Sequence, residues 1–280
     1  MTTHLVYQNA LRQTLVSYSG KPVIVHSDLF RAACFVPPAI DRQQLLSHHR
    51  DFLDSLGVRL QIPAFNYQFP RTRSVDLRTA STELGPLGDF MRDQWATART
   101  FDPVFSFLLQ QETAPVNLDD GLYTAFGPQS RFPYVVAEGG AIVMYGAALS
   151  SLTMLHHAEV VSGGPLYRYD KEFYGRVTDW QARESQVRFR YHVRPQGVHL
   201  DYDWSRIQLL LAERQVLRWI QDERKVLGFV LDAQQLVDTL VAALKTDPLW
   251  LLDAQSREWV EPKLQKLGRR FVLADFEPTL

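Results

Sequence analysis

Thr153, His156 and Glu159 recur at intervals of three residues in the string Thr-Met-Leu-His-His-Ala-Glu. On a helix that spacing places all three on one face. A histidine with a carboxylate one turn away makes a serviceable base. The carboxylate orients the ring, fixes its tautomer and supports the imidazolium formed on proton uptake. The bland alternative is a core histidine beside a surface glutamate, and the triplet alone does not choose between them. His157 falls on another face of the same helix.

Positioning that triplet requires the elements before it. Ile142-Val143-Met144-Tyr145 is a short apolar run and reads as a buried strand. Gly146 breaks it, small residues follow, and a helix is expected from about Ser150. Nearer the N-terminus, a first helix is expected over residues 4 to 18, with Leu5, Leu11, Leu15 and Val16 as apolar members. Val23-Ile24-Val25 is a second buried strand, ending in His26-Ser27-Asp28. A polar cluster just past a buried strand is where ligands bind in α/β proteins, and Ser27 or Asp28 can equally cap the next helix.

Asp41 is expected to cap a helix running to about Ser55, and Val58 to Ile62 to form a strand. That strand feeds Phe65-Asn66-Tyr67, whose aromatics can stack on a flat ligand or seal the core. Residues 70 to 80, with Arg71, Arg73 and Arg78, read as an exposed loop. A helix starts at Gly85-Pro86 and passes through Trp95. Asp102 precedes a proline, which restricts it to extended geometry and suits a fixed carboxylate.

Val104 to Leu109 reads as a strand, Asp119-Asp120-Gly121 as a turn, and Tyr134 to Glu138 as a short helix. Val187 to Val193 alternates strictly and reads as a half-buried antiparallel strand with Arg188, Arg190 and His192 on one face. Trp204 to Glu223 and Asp232 to Leu244 read as amphipathic helices.

With 280 residues, 46% of them apolar and 22% charged, the chain can bury a sizeable core. A formal net charge of −1 argues against a nucleic-acid partner. One cysteine, Cys34, excludes an internal disulfide and a cysteine-rich metal site, and reads as a small core residue. No apolar run reaches bilayer length and the N-terminus lacks a signal-peptide layout, so no membrane partner and a cytoplasmic location are expected. No repeat or linker divides the chain, so residues 1–280 are expected to form a single domain.

Six strings, in order, resemble those of the aminoglycoside 3-N-acetyltransferase family. They are Val25-His26-Ser27-Asp28-Leu29, Ile62-Pro63-Ala64-Phe65, and Arg99-Thr100-Phe101-Asp102-Pro103-Val104-Phe105-Ser106. Phe126-Gly127 with Ser130, the Gly146 to Glu159 stretch, and Tyr167-Arg168-Tyr169 with Lys171 complete the set. The resemblance spans roughly residues 22 to 176. It implies an α/β fold in a single domain, with a mixed sheet flanked by helices. It implies acyl transfer from acyl-coenzyme A to an amino group on a sugar-like ring, with no metal.

Carried over by position, the resemblance makes His156 the base and Glu159 its orienting carboxylate, with Thr153 and Asp102 as further catalytic candidates. His26, Ser27, Arg99 and Ser106 become candidates for the coenzyme side. Phe65, Asn66, Tyr67, Arg168 and Lys171 become candidates for the acceptor side. Asp102 stands where the family has histidine.

Phe65 to Phe69 looks more like relatives that acylate nucleotide-linked amino sugars. From Arg168 to Arg194, seven basic residues face four acids, which suits the diphosphate of such an acceptor. An aminoglycoside acceptor is the alternative. A non-catalytic protein binding coenzyme A or a sugar nucleotide is the alternative of another class. Acyl length and oligomeric state have no signal in the sequence.

Overall fold

The computed structural model describes residues 3–111, 121–221 and 225–277. In chain order the helices are α1 (Thr3–Leu15), α2 (Leu29–Ala32), α3 (Arg42–Asp54), α4 (Phe69–Thr72), α5 (Pro86–Gln94), α6 (Arg131–Ala137), α7 (Met154–Val161), α8 (Trp204–Glu213), α9 (Ala233–Thr246) and α10 (Ala254–Leu267). The strands are β1 (Pro22–Ser27), β2 (Arg59–Pro63), β3 (Ser74–Asp76), β4 (Ala98–Arg99), β5 (Phe107–Leu109), β6 (Leu122–Thr124), β7 (Ala141–Tyr145), β8 (Tyr169–Thr178), β9 (Glu184–Val193), β10 (Leu217–Gln221) and β11 (Val226–Asp232).

Seven strands form a mixed sheet in the order β10-β11-β7-β1-β2-β5-β4, and β3-β8-β9-β6 form a second sheet. β1 lies parallel to both β2 and β7, while β11 and β5 pair antiparallel at either side. The expected α/β class with a mixed sheet flanked by helices is the observed one.

The apolar runs of β1 and β7 are explained by cover on both faces. Val23, Val25, Val143 and Tyr145 pack with Leu11 of α1, Phe52 of α3 and Met91 of α5. Ile24, Ile142 and Met144 point the other way, into a core shared with Phe132, Leu155, Leu240 and the second sheet's Tyr123 and Phe189. His26 has the parity of Ile24 and so lies on this second side, against the ring of Phe65.

The chain leaves β1 toward the first face, through α2 and α3, and leaves β7 toward the second, through α7. The adjacent parallel ends of β1 and β7 are therefore a topological switch point, where α/β sheets open a crevice. Gly146 makes that crossing possible. Its φ is +71°, and a Cβ there would sit 2.6 Å from Asp28 O and 2.8 Å from Ala32 N.

Several boundaries follow the sequence. Asp28, Asp41 and Asp232 accept from backbone N–H groups at the starts of α2, α3 and α9. Others need correction. Leu5 and Val16 are exposed, and Tyr7 and Leu11 carry the buried side of α1. Residues 70 to 80 hold α4 and β3 rather than a loop, because Arg73 adopts a left-handed conformation that turns the chain into β3, beside β8.

The strand expected over Val104 to Leu109 is only β5. Val104 and Phe105 instead form a turn bonded to Asp102. The helix expected over Trp204 to Glu223 stops at Glu213, where Gln215 turns left-handed and β10 begins. The turn expected at Asp119-Asp120 lies outside the described residues. Among those described, no helix is long and apolar enough to cross a membrane.

Burial pulls His26 and His49 down to about 4. Each is then neutral in the folded chain and proton-binding in the unfolded chain between about pH 4 and 6.5. Folding stability should fall as pH drops through that window, by about 1.4 kcal/mol per unit for each such ring. Urea midpoints measured at pH 7.5 and pH 5 should differ accordingly. Equal midpoints would mean the rings are charged inside the fold.

Candidate active site

Glu159 is fully buried in the middle of α7. Its Oε1 accepts from the hydroxyls of Tyr167 and Tyr202, both at 2.7 Å. Its Oε2 lies 2.8 Å from His156 Nδ1 and 3.2 Å from His192 Nε2. Arg168 Nη2 donates to the Tyr202 hydroxyl at 2.9 Å and adds positive charge nearby. Burial alone would raise the Glu159 carboxyl, but the two imidazoles and Arg168 hold it well below the usual range. The carboxylate is ionised.

His156 shows the opposite balance. Burial pulls it down to about 4, although Glu159 raises it. A neutral ring beside an ionised carboxylate must donate through Nδ1–H. Nε2 is then the acceptor left for the cavity that His156 lines.

That cavity has a volume of about 600 Å³. Phe65, Tyr67, Phe105, Tyr202 and Trp204 give it aromatic walls, and its polar lining includes His26, Ser151, Thr153, Arg168, Arg194 and the carboxylate of Asp201. It adjoins a wider cleft of about 990 Å³ that shares Tyr67, Arg168 and Arg194 with it. Arg71, Arg73, Lys171 and His199 extend the cleft with basic groups. Such a donor set fits an extended ligand with phosphates at one end and an uncharged arm.

His156 Nδ1, Glu159 Oε2 and His192 Nε2 lie within 4.8 Å of one another, as in a small metal site. The carboxylate, however, already has protein partners on both oxygens, and Arg168 places a positive charge beside it. The cluster is better suited to holding a proton than a divalent cation.

A family model described as aminoglycoside 3-N-acetyltransferase matches residues 56–262. The chain belongs to the aminoglycoside 3-N-acetyltransferase family. Aminoglycoside N(3)-acetyltransferase VII of Streptomyces paromomycinus is 32% identical over 94 residues, 33% of this chain and 33% of that protein. The match to this curated relative thus spans about a third of its length. The fold is also that of the solved AAC-IIIb binary complex with CoASH, with a TM-score of 0.63 and 18% identity over 85% of this chain and 96% of that one. Sisomicin-bound AAC-VIa gives a TM-score of 0.64 and 19% identity over 87% of this chain and 98% of that one.

Of the residues the family strings single out, His156, Thr153, His26, Phe65, Tyr67 and Arg168 meet around one cavity. Glu159 stands directly behind His156. Thr153 Oγ1 donates to Ser151 O at 3.3 Å. Ser27 lines a side pocket of about 120 Å³ that shares His26 with the main cavity. Lys171 lies on the wider cleft, ion-paired to Glu277.

Four expectations are corrected. Arg99 is buried and spends its guanidinium on the carbonyls of Leu77, Ala80 and Ala64 and on Ser106 Oγ. Ser106 in turn donates to Ala64 O. Both brace the loops around Ala64 rather than line a cleft. Asn66 likewise bonds Ser81 O and Gln68 N. Asp102 Oδ1 accepts from Val104 N and Phe105 N, at 2.8 and 2.6 Å, and the residue borders neither cavity. Burial pushes the Asp102 carboxyl up to about 6 against those two bonds.

Sequence reasoning did not reach Tyr167, His192 or Tyr202 as partners of the carboxylate. Tyr167 and His192 stood in strings already singled out, but nothing local says which side chain crosses to α7. Tyr202, between Asp201 and Asp203, carries no signal at all.

Asp102→Ala should lower unfolding free energy by about 1–3 kcal/mol through two lost backbone bonds, leaving turnover per folded molecule within about threefold. Chemical denaturation beside steady-state kinetics checks this. A hundredfold fall in kcat in folded protein would return Asp102 to the chemistry.

Proposed function

We propose that this protein is an N-acyltransferase that moves an acyl group from acyl-coenzyme A to an amine of an aminoglycoside. The observation that carries the reading is a neutral His156 with Nδ1 locked to a buried, ionised Glu159 and Nε2 left to an aromatic-walled cavity. Family membership and the names of the relatives support both the reaction and the acceptor class.

Acyl-coenzyme A supplies the activated acyl group when bound, and Arg71, Arg73 and Arg194 are suited to its phosphates. An amine is nucleophilic only once its ammonium proton has gone. His156 Nε2 takes that proton, the amine nitrogen bonds to the thioester carbonyl carbon, and the C–S bond breaks to release coenzyme A, whose thiolate takes up the proton held by the imidazolium. Glu159 stays ionised and stabilises the imidazolium across the 2.8 Å contact. The two phenols on Oε1 keep the carboxylate from rotating away or taking the proton itself. Direct transfer agrees with Cys34 lying outside the cavity, its Sγ bonded to Arg31 O.

A second reading, transfer to a nucleotide-linked amino sugar, is favoured by one feature. With Lys171 and Glu277 paired to each other, the cleft still carries Arg71, Arg73, Arg168 and Arg194 against the carboxylate of Asp201. A polycationic acceptor gains little from that field, and a diphosphate gains much.

His156→Ala should lower kcat by about two to four orders of magnitude while acceptor binding persists, as measured by release of free coenzyme A. Near-normal turnover in the folded variant would remove His156 from the mechanism. No coenzyme A release from wild type with any acceptor would leave a binding protein instead.

Gentamicin and a uridine-diphosphate amino sugar, assayed in competition at rising salt, decide the acceptor. The aminoglycoside reading expects turnover on gentamicin. Turnover confined to the nucleotide sugar, weakening as salt screens its phosphates, would replace it with the second reading.

A further inference from the structure

The segment after α10 returns to the wide cleft. Past Gly268 it runs through a short turn, Leu273–Asp275, and brings Glu277 into the cleft lining. The match to the family model ends at residue 262, so this carboxylate comes from beyond the matched stretch. Glu277 Oε1 accepts from the Tyr169 hydroxyl at 2.8 Å, and Oε2 accepts from the Lys171 ammonium. The ammonium, helped by that hydroxyl, holds the Glu277 carboxyl below its usual range.

Of the five arginines and lysines on the cleft, Lys171 alone is ion-paired among the described residues. Arg71 donates to Gln68 Oε1 and Arg168 to the Tyr202 hydroxyl, both uncharged partners. Arg73 lies 5.0 Å from the centroid of the Phe173 ring, and Lys171 Nζ lies 5.6 Å from the same centroid. The paired and the unpaired cation are therefore neighbours on one wall.

The pair is not needed to hold the segment in place. Phe276 stacks on Tyr169 at 5.3 Å and packs against Phe271 at 4.9 Å, centroid to centroid. Arg269 clamps Asp275 with two bonds of 2.7 Å. A half-buried ion pair adds little to such an anchor. What it does change is the number of cations the cleft offers a ligand.

We propose that Glu277 sets the affinity of the cleft for a diphosphate by holding Lys171 back from it. This role rests on the acyl-transfer reading, in which the cleft takes the diphosphate of the coenzyme. Arg71, Arg73 and Arg194 remain for the phosphates. A freed Lys171 would add one more cation and slow the departure of coenzyme A, which must leave before the next turnover. Glu277 competes with the phosphates for that ammonium. A carboxylate with only a structural part would alter stability and leave binding unchanged.

The test is calorimetric titration of wild type, Glu277→Gln, Lys171→Met and the double variant with free coenzyme A and, in a second arm, with uridine diphosphate. Glu277→Gln should bind coenzyme A about threefold to tenfold more tightly, and the gain should shrink as salt rises. In the Lys171→Met background the same change should give no more than about twofold, because no ammonium is there to be released. An unchanged or weaker affinity in Glu277→Gln, or an equal gain in both backgrounds, overturns the proposal and leaves the acyl-transfer reading standing. A wild type that binds neither diphosphate overturns it as well. If wild type binds uridine diphosphate alone, with the same pattern among the variants, the role of Glu277 is upheld and the coenzyme reading of the cleft falls instead.

Discussion

The structure depends on one buried negative charge. Glu159 has no solvent exposure, and an unpaired carboxylate in that position would cost several kcal/mol. It is tolerated because hydroxyls occupy one oxygen and imidazoles the other. These partners come from α7 itself, from the run into β8, from the end of β9 and from the segment before α8. A single side chain therefore ties the helix that follows the large sheet to the small sheet and to the C-terminal third. The same ties that make the charge affordable also fix the orientation of His156.

The other controlling constraint is the crossing at Gly146. The backbone there runs so close to Asp28 O and Ala32 N that any side chain would collide. That closeness lets β1 and β7 end side by side while their chains depart to opposite faces. The crevice between them receives His26 from one strand end and His156 from the helix after the other. Position within the sheet thus brings together two histidines 130 residues apart in the chain, counted from their numbers.

Much of this was legible in the sequence wherever a local rule governs. The buried strands at Val23 and Ile142, the aspartate caps and the one-turn His156–Glu159 pairing all rest on neighbours in the chain. The hairpin at Leu217 was not, because α8 ends at a left-handed Gln215, a residue type with no strong preference for that conformation. Tyr202 and His192 were hidden for a different reason. Their role is defined by an oxygen on another element, and a histidine in an alternating strand or a tyrosine in a connecting segment has the same appearance whether it meets water or a carboxylate. Arg99 and Asp102 misled in the reverse direction, since a charged residue in a family string invites a ligand-binding role.

Arg99 shows what such a string can record. Its guanidinium meets three backbone carbonyls and one hydroxyl, a planar set of donors that lysine cannot reproduce. Arg99 and Ser106 splint the loop after β2, and those two side chains answer to carbonyl positions rather than to any reactant, while Phe105 beside them faces the cavity. A descendant that lost the His–Glu pair would still be held to this string by its own architecture. The string is a mark of ancestry, and only the pair on α7 speaks to whether the chemistry survives.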